Sequence, residues 1–223
     1  MRRPAGALLD VDGTLVDSND FHAHAWVRAI TEARISAEFA VVRRLIGKGG
    51  DKLLPEVTGL AADSDEGKAI SQRRGEIFQT EYLPQVRAFA GAKELLARMT
   101  QAGIKLAVAS SSEKDQLRSL LKVCGADEFI EGSTSSDDAG NSKPDPDIVQ
   151  AALAQLGLHA DRAILLGDTP YDVEASLKAG IRVVALRCGG WRDSDLKGAT
   201  RIYDDPADLL DRFDESPFVV GSE

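Results

Sequence analysis

Asp10-Val11-Asp12-Gly13-Thr14-Leu15 follows an apolar run from Ala5 to Leu9. The run has the length of a short buried strand, and Gly13 marks the turn that ends it. Side chains alternate along a strand, so residues two apart share a face, and Asp10 and Asp12 stand side by side where the strand opens into a loop. Two carboxylates there occupy the end of a strand at which open α/β sheets keep their chemistry. Asp-Gly is also ordinary turn vocabulary, so a plain β-turn explains this stretch taken alone.

Later segments repeat the arrangement. A strand over Ile104 to Ala109 runs into Ser110-Ser111-Ser112, and a strand over Ala163 to Leu166 ends in Gly167-Asp168-Thr169-Pro170-Tyr171-Asp172. Between them Lys143 stands in Ser142-Lys143-Pro144-Asp145-Pro146, just before a helix. If the strands are parallel neighbours, Asp10, Asp12, Asp168, Asp172, Ser110 and Lys143 converge on one edge of the sheet. Like charges about 4 Å apart repel by about 4 kcal/mol at an effective dielectric near 20, so four carboxylates around one ammonium call for a bound cation.

Every candidate ligand is an oxygen, with no His or Cys spacing nearby, which favours a hard cation, Mg²⁺ before Ca²⁺. A carboxylate beside Mg²⁺ stays ionised and can attack phosphorus, so Asp10 is the candidate nucleophile. Asp12 is then the candidate general acid and base. Ser110 and Ser111, with backbone amides, would hold phosphate oxygens, and Lys143 would offset the accumulating negative charge. Each residue alone has a simpler explanation: Ser110 as part of a helix cap, Lys143 as a surface residue, Asp168 and Asp172 as helix-start acids. Their joint order, each at the same end of a βα unit, is what those explanations leave over.

The elements that would position these groups fall into two kinds. From about Gly91 onward helices alternate with strands, the pattern of a parallel sheet with crossover helices. The expected helices are Gly91 to Gln101, Glu113 to Val123 with Ser112 as N-cap, Pro146 to Leu156 with Asp145 as cap, Pro170 to Lys178, and Pro206 to Phe213. The remaining expected strands are Phe129-Ile130, Ile181 to Leu186 and Thr200 to Tyr203. Gly132 to Asn141 is expected as a polar loop, and the last ten residues as a loose tail. Residues 16–88, in contrast, contain no convincing strand. Helices are expected there over Asn19 to Arg34, Ala37 to Ile46, Asp51 to Val57 and Glu66 to Tyr82, closed by Pro84. The organisation expected is a Rossmann-like α/β core, residues 1–16 and 85–223, with a helical cap domain inserted over 17–84.

Within the inserted block, Gly47-Lys48-Gly49-Gly50 joins two helices and is flanked by Arg43, Arg44 and Lys52. Such a loop can reach over a site and hold a substrate's non-reacting anion, which makes Lys48 and Gly49 candidate substrate residues; a solvated helix connection is the alternative. His22 and His24 are two apart on a helix and point different ways, so at most one faces a site, and His22 is the candidate.

Composition narrows the partners. The 223 residues are 43% hydrophobic and 28% charged, as expected of a globular protein with a core. A net charge of −9 argues against nucleic acid and gives no support to an anionic membrane surface. Cys124 and Cys188 lie in no metal or redox spacing, so two reduced thiols are expected. The opening Met1-Arg2-Arg3 leads into an apolar run interrupted by Asp10 and Asp12, which is not the pattern of a signal peptide, and no stretch has the length of a membrane helix. A cytoplasmic location is the expectation. The sequence is silent on oligomeric state.

Taken together the motifs resemble the haloacid dehalogenase-like hydrolase superfamily, in particular its phosphatases and phosphomutases with a helical cap after the first strand. Asp10-Val11-Asp12-Gly13-Thr14 matches the family's first motif, Ser110 the second, Lys143 the third, and Gly167-Asp168 with Asp172 the fourth. The resemblance implies Asp10 as nucleophile, Asp12 as general acid/base, and Mg²⁺ held by the Asp10 and Asp168 carboxylates and the Asp12 main-chain carbonyl, with Asp172 in support. The family's dehalogenases and phosphonate-cleaving members lack the second aspartate, so Asp12 points to a phosphatase acting on a small phosphomonoester, such as a sugar phosphate or phosphoglycolate. His22 and Trp26 match positions of β-phosphoglucomutase-like members, which keeps a sugar phosphomutase as the alternative. Gly50, however, stands where those members carry an arginine, leaving Arg44, Lys48 or Lys52 to substitute. A phosphoacceptor signalling domain uses similar groups, but Asp12 and the inserted helices argue against it.

Overall fold

A computed structural model of the chain describes residues 3–220. Its centre is a six-stranded sheet of β1 (Gly6–Leu9), β4 (Lys105–Ala109), β5 (Gly132–Thr134), β6 (Ala163–Gly167), β7 (Arg182–Leu186) and β8 (Arg201–Tyr203). The spatial order is β5-β4-β1-β6-β7-β8 and every pairing is parallel. The order reverses at β1, where the chain has filled one side before crossing to β6 on the other. A crevice opens at such a switch point beyond the strands' carboxyl ends, and Asp10 and Asp168 lie there.

The strands read as apolar runs because both faces of the sheet are covered. Ala7 and Leu9 belong to one buried cluster with Leu106, Val108, Ile164 and Leu166; Leu8 belongs to the other with Ala107 and Leu165. Helices α5 (Ala92–Gln101), α6 (Lys114–Cys124) and α9 (Pro206–Asp211) contribute to the first cluster. Helices α7 (Asp147–Leu156) and α8 (Pro170–Lys178) contribute to the second. The Rossmann-like α/β expectation is borne out.

Between β1 and β4 the chain forms α1 (Asn19–Glu32), α2 (Phe39–Leu45), α3 (Gly50–Thr58) and α4 (Asp65–Ile77), in the order expected. A π-helical segment, Phe78–Tyr82, and a 3-10 turn, Leu83–Gln85, continue α4. The expectation of no strand here is corrected in one respect: β2 (Val16–Asp17) and β3 (Arg87–Ala88) pair antiparallel as a ribbon at the two ends of the helical insertion. Two residues are too few to show an alternation.

Four further corrections follow from hydrogen bonding or packing that overrides local pattern. The edge strand is Gly132–Thr134 rather than Phe129-Ile130: the small polar residues pair with Ala107 to Ala109, while the two apolar ones pack against the core beside it. That strand also occupies the first part of the expected polar loop. Glu113, not Ser112, is the N-cap of α6, because the Ser112 hydroxyl is engaged by Asp12. Pro146 takes the N-cap place of α7, and Asp145 accepts a hydrogen bond from Lys52 instead. The tail is not loose up to Val220, since Phe218 is fully buried and stacks with Phe213 at 6.2 Å. Residues 221–223 of the expected tail, and Met1 and Arg2 of the amino terminus, lie outside the described residues.

Both cysteines are free, Cys124 buried and Cys188 half-buried. Among the described residues no helix is long and apolar enough to cross a membrane. Burial of an aromatic side chain of this size makes Phe218→Ala cost about 3 kcal/mol. A urea titration is expected to show that loss, and a change below about 1 kcal/mol would restore the loose-tail expectation.

Candidate active site

The chain leaves β1 with the Asp10 amide donating to the Leu166 carbonyl (2.9 Å), which carries the sheet pairing one residue beyond the strand. It then turns sharply, with Gly13 at φ +75° and its amide donating to the Val16 carbonyl at 2.8 Å. A β-carbon at Gly13 would lie 2.0 Å from Asn19 Nδ2 and 2.3 Å from Asp168 Oδ2. The glycine therefore serves two ends: it permits the left-handed turn, and it lets Asp168 and the start of α1 close against the loop. Through that gap Thr14 Oγ1 donates to Asp168 Oδ1 (2.9 Å) and Asn19 Nδ2 to Asp168 Oδ2 (2.9 Å).

Lys143, 1% exposed, places its ammonium 2.6 Å from Asp10 Oδ1 and 2.7 Å from Asp172 Oδ1. Asp172 is fixed by a capping box at the start of α8, its Oδ2 accepting from the Thr169 amide (3.0 Å) and hydroxyl (2.6 Å). The helix-start explanation and the charge-cluster explanation of Asp172 thus describe two oxygens of one carboxylate. Burial lowers the affinity of Lys143 for its proton, but Asp10 and then Asp172 more than reverse this, so its pKa is raised and it stays charged. Asp10 is pushed well above the usual carboxylate range by burial, against the pull of Lys143. Asp168 is pushed up to about 7, by burial and then by Asp172.

Oxygens of Asp10, Asp168 and Asp172 all lie within 4.8 Å of one another, all buried. Three carboxylates against one ammonium leave a surplus negative charge that a low-dielectric surrounding penalises, and the elevated carboxyl pKa values are that penalty. A hard divalent cation relieves it with oxygen donors alone, so the residues present fit Mg²⁺.

Asp12 has a different environment. Its Oδ1 accepts from the Ser18 hydroxyl (2.5 Å) and meets His22 Nε2 at 2.7 Å, while Oδ2 accepts from the Ser112 hydroxyl at 2.7 Å. Burial pushes its pKa up, but the His22 charge and hydrogen bond, then those of Ser18 and Ser112, hold it down at about 2. His22 is itself held by stacking on Phe78, ring centroids 4.0 Å apart. His24 is exposed and stacks on Phe39 instead, so one histidine of the pair faces the site, as its spacing required.

Asp10, Asp12, His22, Lys48, Ser110 and Ser111 line one cavity. The Ser110 hydroxyl accepts from the Ser112 amide (3.1 Å), and the Ser111 hydroxyl is buried with no protein partner. Lys48 reaches the cavity wall, but its ammonium pairs with Glu56 and lies 5.0 Å from the Tyr171 ring centroid. Gly49 is turned away, its amide donating to Ser142 Oγ at 3.1 Å. Asp172 lies behind Lys143 rather than on the cavity wall.

Five contacting residues were not singled out by sequence: Thr14, Ser18, Asn19, Ser112 and Arg74. Thr14 sits inside the first motif and Ser18 and Asn19 at a helix start, so their ordinary local roles masked their reach. Arg74 is one of two adjacent arginines in a charged helix, and nothing in that pattern separates it from Arg73, which is exposed and bonded to Glu32.

Comparison with known proteins matches the geometry. A phosphoglycolate phosphatase of Rhodospirillum rubrum is 31% identical over 93% of this chain and 90% of its own length. An N-acetylmuramic acid 6-phosphate phosphatase of Pseudomonas aeruginosa is 28% identical over 96% of each. The crystal structure of a hydrolase from Pseudomonas syringae superposes with a TM-score of 0.87, at 29% identity, over 94% of this chain and 98% of that one. Residues 7–186, which span every group described above from Asp10 to Asp172, match the family of haloacid dehalogenase-like hydrolases, and the chain belongs to that family of enzymes.

Proposed function

We propose that the protein is a Mg²⁺-dependent phosphatase that hydrolyses a small phosphomonoester through an aspartyl-phosphate on Asp10. The observation that carries this reading is the division of one cavity between two differently treated carboxylates, Asp10 beside Lys143 and the acidic cluster, Asp12 beside His22 and two hydroxyls. Relatives that are phosphatases of phosphoglycolate and of a sugar phosphate support the reaction class.

In the proposed cycle an Asp10 carboxylate oxygen attacks phosphorus, the phosphorus–oxygen ester bond breaks, and the leaving oxygen takes a proton from Asp12. Water then attacks the aspartyl-phosphate, Asp12 takes the water proton, and the phosphorus–Asp10 bond breaks to release phosphate. The low pKa of Asp12 suits the second step, because an ionised carboxylate is the form that accepts a proton; for the first step the negative charge of the bound phosphoryl group raises the proton affinity of Asp12, so that it enters that step protonated. Lys143 holds the Asp10 carboxylate in place, and the free Ser111 hydroxyl is available to a phosphate oxygen. Mg²⁺, held by Asp10, Asp168 and the Asp12 main-chain carbonyl with Asp172 in support, would supply positive charge that keeps Asp10 ionised and offsets charge on the phosphoryl oxygens.

In this reading residues 17–84 act as a cap. Arg43 reaches the Gly189 carbonyl (2.7 Å), Tyr171 donates to the Arg44 carbonyl (2.6 Å), and Arg44 stacks over Trp191 at 4.2 Å, contacts that hold the insertion against the core. Trp191 is thereby assigned to the seam between them. The phosphomutase alternative is favoured by His22 and Trp26, which both line the cavity, and disfavoured by Gly50, which offers no side chain to a second phosphate.

Asp10→Asn is expected to lower turnover of small phosphomonoesters at least about a thousandfold, measured as phosphate release with Mg²⁺ present; a variant as active as the parent would overturn the nucleophile assignment. Because Asp168 must be ionised to hold a cation and titrates near 7, Mg²⁺ affinity is expected to rise with pH through about 7. Below that pH it should fall about tenfold per unit for each displaced proton. Thermal melts with and without Mg²⁺ at pH 6 and pH 8 read this directly, and an equal Mg²⁺-induced shift at both would contradict it.

A further inference from the structure

Arg74 comes from α4 in the insertion and is 8% exposed, yet it makes no ion pair with any described carboxylate. Its Nη1 donates to Gln116 Oε1 at 2.5 Å, and the guanidinium lies 4.9 Å from the Trp26 ring centroid. Nε is buried and has no partner, and among the described residues Nη2 makes no hydrogen bond. Burial pulls its pKa down, opposed only by the more distant charges of Glu113 and Asp12. Buried charges are ordinarily paired, so a guanidinium with one complete edge free is a receptor waiting for an anion. Its neighbour Arg73, exposed and bonded to Glu32, is the ordinary case.

Arg74 lines the substrate cavity together with Asp10, Asp12 and Ser111, and the cavity measures about 40 Å³, room for a few water molecules. Arg74 and Trp26 also line a larger outer space of about 390 Å³ that reaches Asp63, Ser71 and Glu113. They therefore stand where the inner cavity gives way to the outer one, and a group bound at Arg74 belongs to a short ligand whose phosphoryl lies at Asp10.

We infer that Arg74 binds a carboxylate of the substrate, so that the preferred substrate is a short phosphomonoester carrying a carboxylate close to the ester oxygen. Two parallel N–H donors, Nε and Nη2, match the two oxygens of a carboxylate, and Nη1 is held out of the way by Gln116. The charges then divide cleanly, the phosphoryl group facing Lys143 and the cation-binding cluster, the carboxylate facing Arg74. The inference rests on the phosphatase reading and narrows its substrate class.

The test compares kcat/KM for 2-phosphoglycolate, for its uncharged primary amide, and for a short bisphosphate, all with Mg²⁺. Wild-type protein is expected to prefer the carboxylate over the amide by about ten- to a hundredfold, the scale of a charge-assisted hydrogen-bonded pair. In Arg74→Gln that ratio should collapse to within about threefold, and in Arg74→Lys, which keeps the charge without the fork, it should be intermediate. Because the measure is a ratio, general damage to the variant cancels, and if Arg74→Gln does not fold, the wild-type ratio and Arg74→Lys still decide. Phosphate release without a carboxylate preference, or a preference untouched by either substitution, overturns this inference and leaves the phosphatase reading standing. A preference for the bisphosphate overturns the choice of carboxylate. No release from any ester by the wild-type protein overturns the phosphatase reading, and this inference with it.

Discussion

Negative charge gathered at the carboxyl end of β1 and β6 governs this structure. Three buried carboxylates, from Asp10, Asp168 and Asp172, lie together, and the ammonium of Lys143 pairs with two of them, Asp10 and Asp172. Removing such groups from water favours their neutral forms, and the raised pKa values of Asp10 and Asp168 express that cost. The fold accepts it because the strands that carry these residues are pinned on both sides by parallel neighbours and on both faces by apolar packing, so the charges cannot relax apart. A cluster held in this way keeps a surplus of negative charge, which the proposed divalent cation would offset.

The close approach of these groups needs space that side chains would fill. Gly13 is one such position, and Gly189 is another, where a β-carbon would stand 1.8 Å from Asp168 Oδ2. Both lie against the same carboxylate, one from the loop after β1 and one from the segment after β7. Asp168 can thus be enclosed by backbone on two sides while its oxygens take hydrogen bonds from Thr14 and Asn19. The glycines and the acid form one unit, with the absence of side chains setting the position of charge.

Much of this was legible in the sequence, for identifiable reasons. Parallel strands buried on both faces leave uninterrupted apolar runs, and each polar residue that ends such a run is conspicuous, so Asp10, Ser110 and Asp168 stood out. Lys143 and Asp172 were found because they adjoin helix starts with proline nearby. What escaped was whatever depends on pairing across the chain. Gly132–Thr134 has no apolar signature and becomes a strand only through β4. Ser112 looked like a helix cap and is diverted by Asp12, a hundred positions away in sequence. Phe218 lay in a stretch with tail-like composition, and its burial depends on the surface offered by Phe213 and its neighbours. Arg74 was hidden by Arg73, since only the packing of α4 distinguishes the buried arginine from the exposed one.

Ion pairs in the molecule differ by depth. Lys143 and its two aspartates are almost wholly buried, where breaking one partner leaves an uncompensated charge and costs several kcal/mol. Contacts between the helical insertion and the core are mixed: His22 with Asp12 is buried, but the outer pairs are of another kind. Lys52 with Asp145 leaves about a third of each side chain exposed, and Arg44 with Asp195 is longer and more exposed still. Pairs of that sort contribute on the order of 0–1 kcal/mol each and weaken with salt. The charge cluster in the core is thus far costlier to disturb than the outer part of the seam around it, and in the proposed chemistry the first would fix the geometry of attack on phosphorus while the second could yield without disturbing it.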